Sequence, residues 1–465
     1  MESLTLEQIV SAVEGSCLNR SKNDNISITS VSIDSREIKK NSLYIPIKGE
    51  KFDGHVFIEA AFNKGATIAL TENKLGFETE GILIYVKDTK KALMNLATYY
   101  RSLFDIPVVA ITGSVGKTST KDLVSAVLSS KYNVHKTQGN FNNEIGLPLT
   151  IFGMTKNHHV LVVEMGMNHF GEIHNLSLIA RPHIAIITNI GVSHIENLGS
   201  REGILKAKCE ILDGMSKEGV LIINGEDDLL ESVQAPQKLI TYGRDRRNLF
   251  FAENIKNAGI EGVMATFNTP NGAVELVVPG LGEHMIDNAL AAIAVAKQLK
   301  LSDTEIKTGF KLYEPTKMRM DLQLAKNNVY IINDTYNASP DSMKAALKVL
   351  QTIPNFKRRI AILGDMFEMG EHATLLHKEV GAFIGKEKMV DLLITVGEIS
   401  RNIQVGAIDN GLSSENTLHF KNQQDLVANL KELINSGDLV LVKASRGMAL
   451  EKTVDEIGKV NLNEA

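Results

Sequence analysis

Between Val108 and Ser119 the chain reads Val-Val-Ala-Ile-Thr-Gly-Ser-Val-Gly-Lys-Thr-Ser, an apolar run that stops at Gly113 and is followed by Gly116, Lys117 and Thr118. These residue types at this spacing suit a phosphate chain. Glycines let backbone N–H groups approach an anion, a lysine adds a point charge for outer phosphates, and a threonine hydroxyl can ligate Mg2+. Gly113 to Ser119, with Ser114 and Val115 inside the loop, is therefore the expected ATP cradle. Ile111 stands where the longer phosphate-loop pattern has its first glycine. A Gly-rich strand-to-helix turn without a ligand is the alternative.

Ligands of doubly wound sheets gather beyond the carboxyl ends of the strands, and polar residues close the apolar runs here. Glu164 ends Val-Val-Glu-Met-Gly, and His194 closes Thr188-Asn-Ile-Gly-Val-Ser-His. Oxygen and imidazole at these places suit a divalent cation beside a nucleotide, although Mg2+ prefers oxygen and keeps waters. A glutamate that caps a helix and a histidine that only hydrogen-bonds are the structural alternatives. Lys208 shares an apolar stripe with Ile204, Ile211 and Met215, whereas Lys206 falls on the polar side. Desolvation lowers the pKa of such an amine, which frees it to act as a nucleophile or to react with CO2 and become a carboxylate-like metal ligand. Otherwise its stem covers the face while the ammonium reaches water.

The 139–148 loop, Gly-Asn-Phe-Asn-Asn-Glu-Ile-Gly-Leu-Pro, offers Asn140, Asn142 and Asn143 as hydrogen-bonding groups or as turn formers. Asp34-Ser35-Arg36 and Phe52-Asp-Gly-His55 suit an anionic or sugar-bearing ligand, or ordinary surface turns. Asn333-Asp-Thr-Tyr-Asn-Ala-Ser-Pro340 and Lys443-Ala-Ser-Arg446 each follow a predicted strand, where a substrate or nucleotide could be gripped. No serine has a nucleophile-elbow context, which argues against a Ser-His-Asp hydrolase.

The elements that must hold these groups read as repeated strand–helix alternation. Short strands over 26–33, 43–47 and 82–86 surround a helix near 56–64, giving a small α/β unit. A helix over 89–104 leads through Pro107 into the phosphate-loop strand. Runs apolar at every position follow at 160–164, 184–188 and 220–224, as in a parallel sheet covered on both faces. A helix is expected over 287–299 and a hinge over 313–320. Strands at 329–334, 359–364, 392–397 and 439–444 then form a second doubly wound sheet.

At 465 residues the chain exceeds one core, and about 100–200 residues per domain predicts three domains. Hydrophobic residues at 43% and charged residues at 23% describe an ordinary globular protein and exclude a disordered or fibrous one. A net charge of -5 without a basic stripe excludes nucleic acid as the expected partner. Cys17 and Cys209 lie far apart, so neither a disulfide framework nor a cysteine zinc site is expected. The opening Met-Glu-Ser-Leu-Thr-Leu-Glu lacks the basic start of a signal peptide, and no run approaches the roughly 18 apolar residues of a membrane span. A cytoplasmic protein is expected.

Taken in order, the motifs resemble those of the ATP-dependent Mur ligases of peptidoglycan synthesis over nearly the full length. The resemblance rests on Asp34-Ser-Arg with Asp53-Gly-His, Thr-Gly-x-x-Gly-Lys-Thr, Gly139-Asn-x-Asn-Asn-x-Ile-Gly-x-Pro148, Glu164-Met-Gly, Asn288-Ala-Leu-Ala-Ala292, Asp334-x-Tyr-Asn-Ala-x-Pro340, Gly364-Asp-Met-x-Glu-Met-Gly370 and Lys443-x-Ser-Arg446. The Asn-x-Asn-Asn and Gly-Asp-Met elements point to the reaction that adds D-alanyl-D-alanine to a UDP-N-acetylmuramoyl-tripeptide, rather than to the formation of the tripeptide. Three α/β domains are implied. These are a small N-terminal domain over 1–87 that binds the UDP substrate, a central phosphate-loop parallel-sheet domain over 88–313 that binds ATP, and a C-terminal Rossmann-like domain over 314–465.

The resemblance further implies Lys117, Glu164, His194 and Lys208 as catalytic groups. Thr118, Glu164, His194 and a carbamylated Lys208 would hold Mg2+, two ions in all. Asn288 would meet the adenine region, with Arg319 and Asp334 reaching the nucleotide across the domain gap. Asp34, Ser35, Arg36, Asn140, Asn142 and Asn143 would bind the UDP-linked peptide, and Tyr336, Asn337, Lys443, Ser445 and Arg446 would complete the substrate site. A monomer acting on small molecules in cell-wall biogenesis is expected, with an acyl-phosphate intermediate. Two departures concern nucleotide and dipeptide contacts: Met285 stands where an Asn commonly follows the histidine, and Ala444 replaces a common Gly. Another Mur-type amino-acid ligase, or a binding protein switched by ATP, are the alternative functions.

Overall fold

The computed structural model describes residues 1–19, 26–49, 52–75, 79–356 and 358–460. Residues 461–465 of the expected C-terminal domain lie outside the described residues. Runs apolar at every position build the central sheet, in which Val108–Thr112, Val160–Glu164 and Ile184–Ile187 are buried throughout, as strands covered on both faces must be. Its nine strands stand in the order Gly272–Val278, Val263–Thr269, Phe250–Asn257, Lys238–Gly243, Val220–Asn224, Ile184–Ile187, Val108–Thr112, Val160–Glu164, Val134–Lys136. From Val108–Thr112 the chain winds out to Val134–Lys136 and Val160–Glu164, then crosses to Ile184–Ile187 on the other side. The winding therefore reverses at the strand that feeds the phosphate loop, where doubly wound sheets open a crevice.

This sheet is parallel as far as Phe250–Asn257 and ends in antiparallel strands that the sequence reading did not identify. Val263–Thr269 alternates buried and half-buried residues, and Gly272–Val278 alternates buried and exposed ones. That is the period of a sheet with one wet face, so a search for continuous apolar runs passes over it. One face of the sheet carries the helices Lys117–Ser129 and His284–Gln298, the second starting three residues before expectation.

The N-terminal sheet has the order Ser16–Cys17, Ile82–Tyr85, Ala66–Thr71, Ser42–Tyr44, Ser30–Ser32. The strand expected over 26–33 divides in two: Ser27–Ile28 pairs with Leu4–Thr5, and Ser30–Ser32 joins the sheet. The helix expected near 56–64 is a 3-10 turn, Gly54–Phe57, followed by Ile58–Asn63. Leu4, Ile28, Leu93, Tyr100 and Leu161 share one core, so the Thr89–Ser102 helix joins this unit to the other face of the central sheet.

The third sheet has the order Asp321–Leu324, Tyr330–Asp334, Leu439–Lys443, Arg359–Gly364, Leu392–Val396, Thr417–Phe420, parallel except at the first strand. Asp334 and Lys443 end neighbouring strands as register partners. Ser339 caps the Pro340–Thr352 helix in a capping box with Pro340 in its first turn, a strong helix-start signal. The expected hinge lies in 311–320, which contains no helix or strand.

Candidate active site

The loop after Val108–Thr112 is shaped by two glycines. Gly113 has φ 149°, and a Cβ there would stand 1.8 Å from Thr188 Oγ1; Gly116 has φ 86° and opens the Lys117–Ser129 helix. A larger residue at either place would deform the cradle. Lys117 Nζ donates to Gly113 O at 2.7 Å and Ser114 O at 3.3 Å, so its charge is folded back over the loop. Burial lowers the pKa of this amine, Glu164 works in the opposite direction, and Arg319 adds to the lowering.

Thr118 Oγ1 donates to Glu164 Oε2 at 2.8 Å, and Asn142 Nδ2 donates to Glu164 Oε1 at 2.8 Å. The phosphate-loop hydroxyl, the strand-end carboxylate and one asparagine of the 139–148 loop thus meet. Lys208 is 1% exposed on the Arg201–Cys209 helix and makes no hydrogen bond or ion pair with any described residue. Burial, reinforced by Lys117, holds its amine well below the usual lysine range. Lys206 is exposed, with its ammonium 5.8 Å from the Phe170 ring centroid, as the helical stripe predicted. His194 has φ 64°, and its Nδ1 lies 2.8 Å from Glu368 Oε2 without the geometry of a regular hydrogen bond.

Across the domain gap, Lys443 Nζ donates to Asp334 Oδ2 at 2.5 Å and to Asn337 O at 2.9 Å, and Asp334 Oδ1 accepts from Met320 N at 3.1 Å. The Arg319 guanidinium carbon stands 3.9 Å from the Tyr336 ring centroid, a stacking that desolvated arginines favour. A cleft of about 220 Å³ between the central and C-terminal domains is lined by Lys117, Thr118, Asn288, Arg319, Asp334 and Lys443, with Asn337 also on its wall. Asn288 is fixed there: its Oδ1 accepts from Thr120 Oγ1 at 3.0 Å and its Nδ2 points to Met285 Sδ at 3.7 Å. Met285 therefore partners Asn288 in this chain. Ala444 is fully buried, and a Cβ on Gly364 would stand 2.6 Å from its methyl.

Other expected residues lie apart from the cleft. Arg36 makes a bidentate pair with Asp34 through Nε at 2.9 Å and Nη2 at 2.6 Å on the N-terminal domain, and the arginine's hydrogen bonds hold the Asp34 carboxyl at about 2. Ser35 sits between them. Asn143 Oδ1 accepts from Ile145 N and Gly146 N, closing the turn before the Gly146–Phe152 helix, while Asn140 is exposed. Ser445 Oγ accepts from Phe367 N, and Arg446 pairs with Glu451 at 2.9 Å.

Sequence reasoning passed over Thr188 and Asn189 as functional groups. Asn189 Oδ1 accepts from Val115 N at 2.9 Å, and Asn189 Nδ2 and Thr188 Oγ1 both donate to Val115 O. They clamp the loop's crown. The signal was the one that found Glu164, polar residues closing an apolar run. His284 also lines the cleft, with its pKa lowered by burial against the opposing pull of Asp334.

Among the described residues no three His, Cys, Asp or Glu side chains converge as a finished metal site. The donors that do converge, a Thr118 hydroxyl and the Glu164 carboxylate, are hard oxygens of the type Mg2+ selects.

Three family models match: Mur ligase family, catalytic domain, over 27–101; Mur ligase middle domain over 111–296; and Mur ligase, glutamate ligase domain, over 318–446. The chain is 39% identical over 460 residues to the UDP-N-acetylmuramoyl-tripeptide--D-alanyl-D-alanine ligase of Bacillus subtilis (strain 168), covering 97% of this chain and 98% of that one. Its counterpart from Escherichia coli (strain K12) is 34% identical, with 98% of each covered. A crystal structure of MurF from Acinetobacter baumannii superposes with a TM-score of 0.90 at 30% identity over 99% of both chains. MurF ligase from Thermotoga maritima in complex with ADP gives 0.80 at 27% identity, over 92% of this chain and 97% of that one.

Proposed function

This chain belongs to the Mur ligase family, and from that premise we propose how its residues divide the work. The reaction is the ATP-dependent joining of D-alanyl-D-alanine to UDP-N-acetylmuramoyl-tripeptide in peptidoglycan synthesis. A carboxylate is a poor electrophile. In the first step an oxygen of the tripeptide's terminal carboxylate attacks the γ-phosphorus of ATP, and the bond to ADP breaks. In the second the dipeptide amine attacks the acyl-phosphate carbon, loses its proton, and phosphate leaves. No enzyme nucleophile is needed, so positioning and charge stabilisation carry the rate.

The observation that carries this reading is the Thr118–Glu164–Asn142 cluster beside a cleft that joins Lys117 to Arg319, Asp334 and Lys443. On binding, Lys117 Nζ leaves the carbonyls of Gly113 and Ser114 for the outer phosphates, and the backbone of 113–119 takes the rest of the chain. Asn288 meets the adenine region, while Arg319 and Asp334 hold the nucleotide from the C-terminal side. Thr118, Glu164, His194 and a carbamylated Lys208 would hold two Mg2+ ions, which supply charge neutralisation for the transferring phosphoryl group. The carbamate forms when the neutral Lys208 amine attacks CO2, making an N–C bond and releasing a proton. Its negative charge then supplies the partner this buried amine lacks.

Asp34, Ser35, Arg36, Asn140, Asn142 and Asn143 are assigned to the UDP-linked peptide, and Tyr336, Asn337, Lys443, Ser445 and Arg446 to the closing face of the substrate site. The working limits of the domains are 1–87, 88–313 and 314–465. A monomer in the cytoplasm fits these roles; no helix of the described residues is long and apolar enough to cross a membrane. Incubation with ATP, Mg2+, UDP-N-acetylmuramoyl-tripeptide and D-alanyl-D-alanine yields ADP, phosphate and the pentapeptide product. ATP turnover indifferent to the dipeptide, or equal use of single amino acids, would overturn the assignment.

A further inference from the structure

The Lys117–Ser129 helix carries, one turn beyond its phosphate-loop residues, a charged cluster that lies outside the cleft. Asp122 is 4% exposed. Its Oδ1 accepts from Lys136 Nζ at 2.7 Å and lies 3.2 Å from Lys121 Nζ. Lys121 Nζ donates in turn to Thr137 O at 3.0 Å, and Thr137 Oγ1 accepts from Glu164 N at 3.1 Å. The carboxylate is thus fixed by the central domain. Its remaining oxygen, Oδ2, accepts from Thr316 Oγ1 in the linker to the C-terminal domain. Burial pushes the Asp122 carboxyl up, but Lys121, Lys136 and the Thr316 hydroxyl outweigh it and leave the acid strengthened.

Beyond Thr316 the linker makes an unusual turn. Arg319 N donates to Thr316 O at 3.2 Å, and Met318 and Met320 adopt φ values of 62° and 50°. Two non-glycine residues in the left-handed region within one turn are strained and persist only when their surroundings hold them. Three contacts do so: Thr316 to Asp122, Tyr336 N to Met318 O at 3.2 Å, and Met320 N to Asp334 Oδ1 at 3.1 Å. The turn places Arg319 against Tyr336 and on the cleft wall, with its Nε buried and unpartnered.

We propose that Asp122 and Thr316 are positioning residues for the nucleotide: their bond anchors the strained 316–320 turn to the phosphate-loop helix and so sets Arg319 in the cleft. The proposal rests on the assignment of Arg319 to the nucleotide. Neither residue lines the cleft, so their effect passes through Arg319.

The test is steady-state kinetics of Thr316→Val, Thr316→Ser and Arg319→Lys, singly and with Thr316→Val combined with Arg319→Lys. Thr316→Val should raise the KM for ATP about tenfold, the scale of one hydrogen bond to a charged group, with kcat little changed. Thr316→Ser should stay near the parent. In the Arg319→Lys background the added valine should change KM by less than about twofold, since coupled residues are not additive. Four outcomes overturn the proposal. A silent Thr316→Val beside an impaired Arg319→Lys refutes the anchor alone, and a silent Arg319→Lys refutes the assignment of Arg319 as well. Equal valine effects in both backgrounds, or a lower melting temperature with KM unchanged, mark a merely structural tie.

Discussion

Lys443 and Lys208 are both withdrawn from water, at 2% and 1% exposure, yet their surroundings differ in kind. Lys443 ends a C-terminal strand beside Asp334, with which it forms a 2.5 Å ion pair, and it also reaches Asn337 O. Its charge is answered within the fold. Lys208 lies on a helix of the central domain without a carboxylate or hydrogen-bond acceptor among the described residues, and Lys117 adds repulsion. A buried ammonium without a counter-charge is disfavoured by several kcal/mol in general, which is why burial lowers the pKa of this amine. One buried lysine is neutralised by a neighbouring carboxylate, and the other is not.

The largest effect expected from breaking this contrast is on the paired side. Lys443→Met leaves Asp334 buried and unpaired and should cost about 3–5 kcal/mol in urea unfolding. Adding Asp334→Leu should recover most of that loss, because the stranded charge goes too. A single variant as stable as the parent would show that Asp334 finds another partner or water.

On the unpaired side the loss should appear in turnover rather than in folding. Lys208→Met should lower kcat by about 10²–10³, the range seen when one charge-stabilising group is removed, with added bicarbonate affecting the parent and not the variant. Full turnover in the variant would reduce Lys208 to a packing residue. Stability should move the other way. The unfolded amine keeps its proton up to its ordinary value of 10.5, whereas the folded amine loses it at a lower pH. The penalty is therefore complete below the folded pKa and is relieved as pH rises towards 10.5. In CO2-free buffer Lys208→Met should be more stable than the parent near neutrality, with the gap closing at alkaline pH. A gap that widens with pH would contradict a lowered lysine pKa.

The smallest structural effect should come from an exposed pair. Arg36→Ala removes the bidentate contact with Asp34, but both groups sit at the surface, where such pairs are screened and add little. The urea midpoint should not move, while the KM for the UDP-linked substrate should rise. A shifted midpoint with unchanged KM would assign Arg36 to the fold alone.

The sequence made the apolar face that carries Lys208 legible, because helical spacing fixes which face a residue shares, but it left open whether the ammonium reaches water, and the structure buries it. The sequence could not show the missing counter-charge. Periodicity specifies a face, whereas the presence of a partner depends on what packs from elsewhere. The phosphate loop and Glu164 were legible for a similar reason: strand ends in doubly wound sheets mark the crevice. Asn142 and Asn143 show the limit. The same side chain, one residue apart, holds Glu164 in one case and closes a turn in the other, and only backbone geometry decides between them. The bond between Thr316 and Asp122 spans 194 residues, beyond any local pattern. The antiparallel strands after Phe250 were missed because alternation, not a continuous apolar run, is the mark of a half-wet sheet.

The proposed carbamylation of Lys208 would give this buried amine, which has no ion pair among the described residues, a negative charge from CO2. Carbon-13 NMR of the active enzyme in labelled bicarbonate tests it most directly, with Lys208→Met as the reference. A protein-bound carbamate resonance is expected that is absent in Lys208→Met and whose intensity follows turnover as bicarbonate is varied. A fully active parent without that resonance, or one equally strong in the variant, would contradict it.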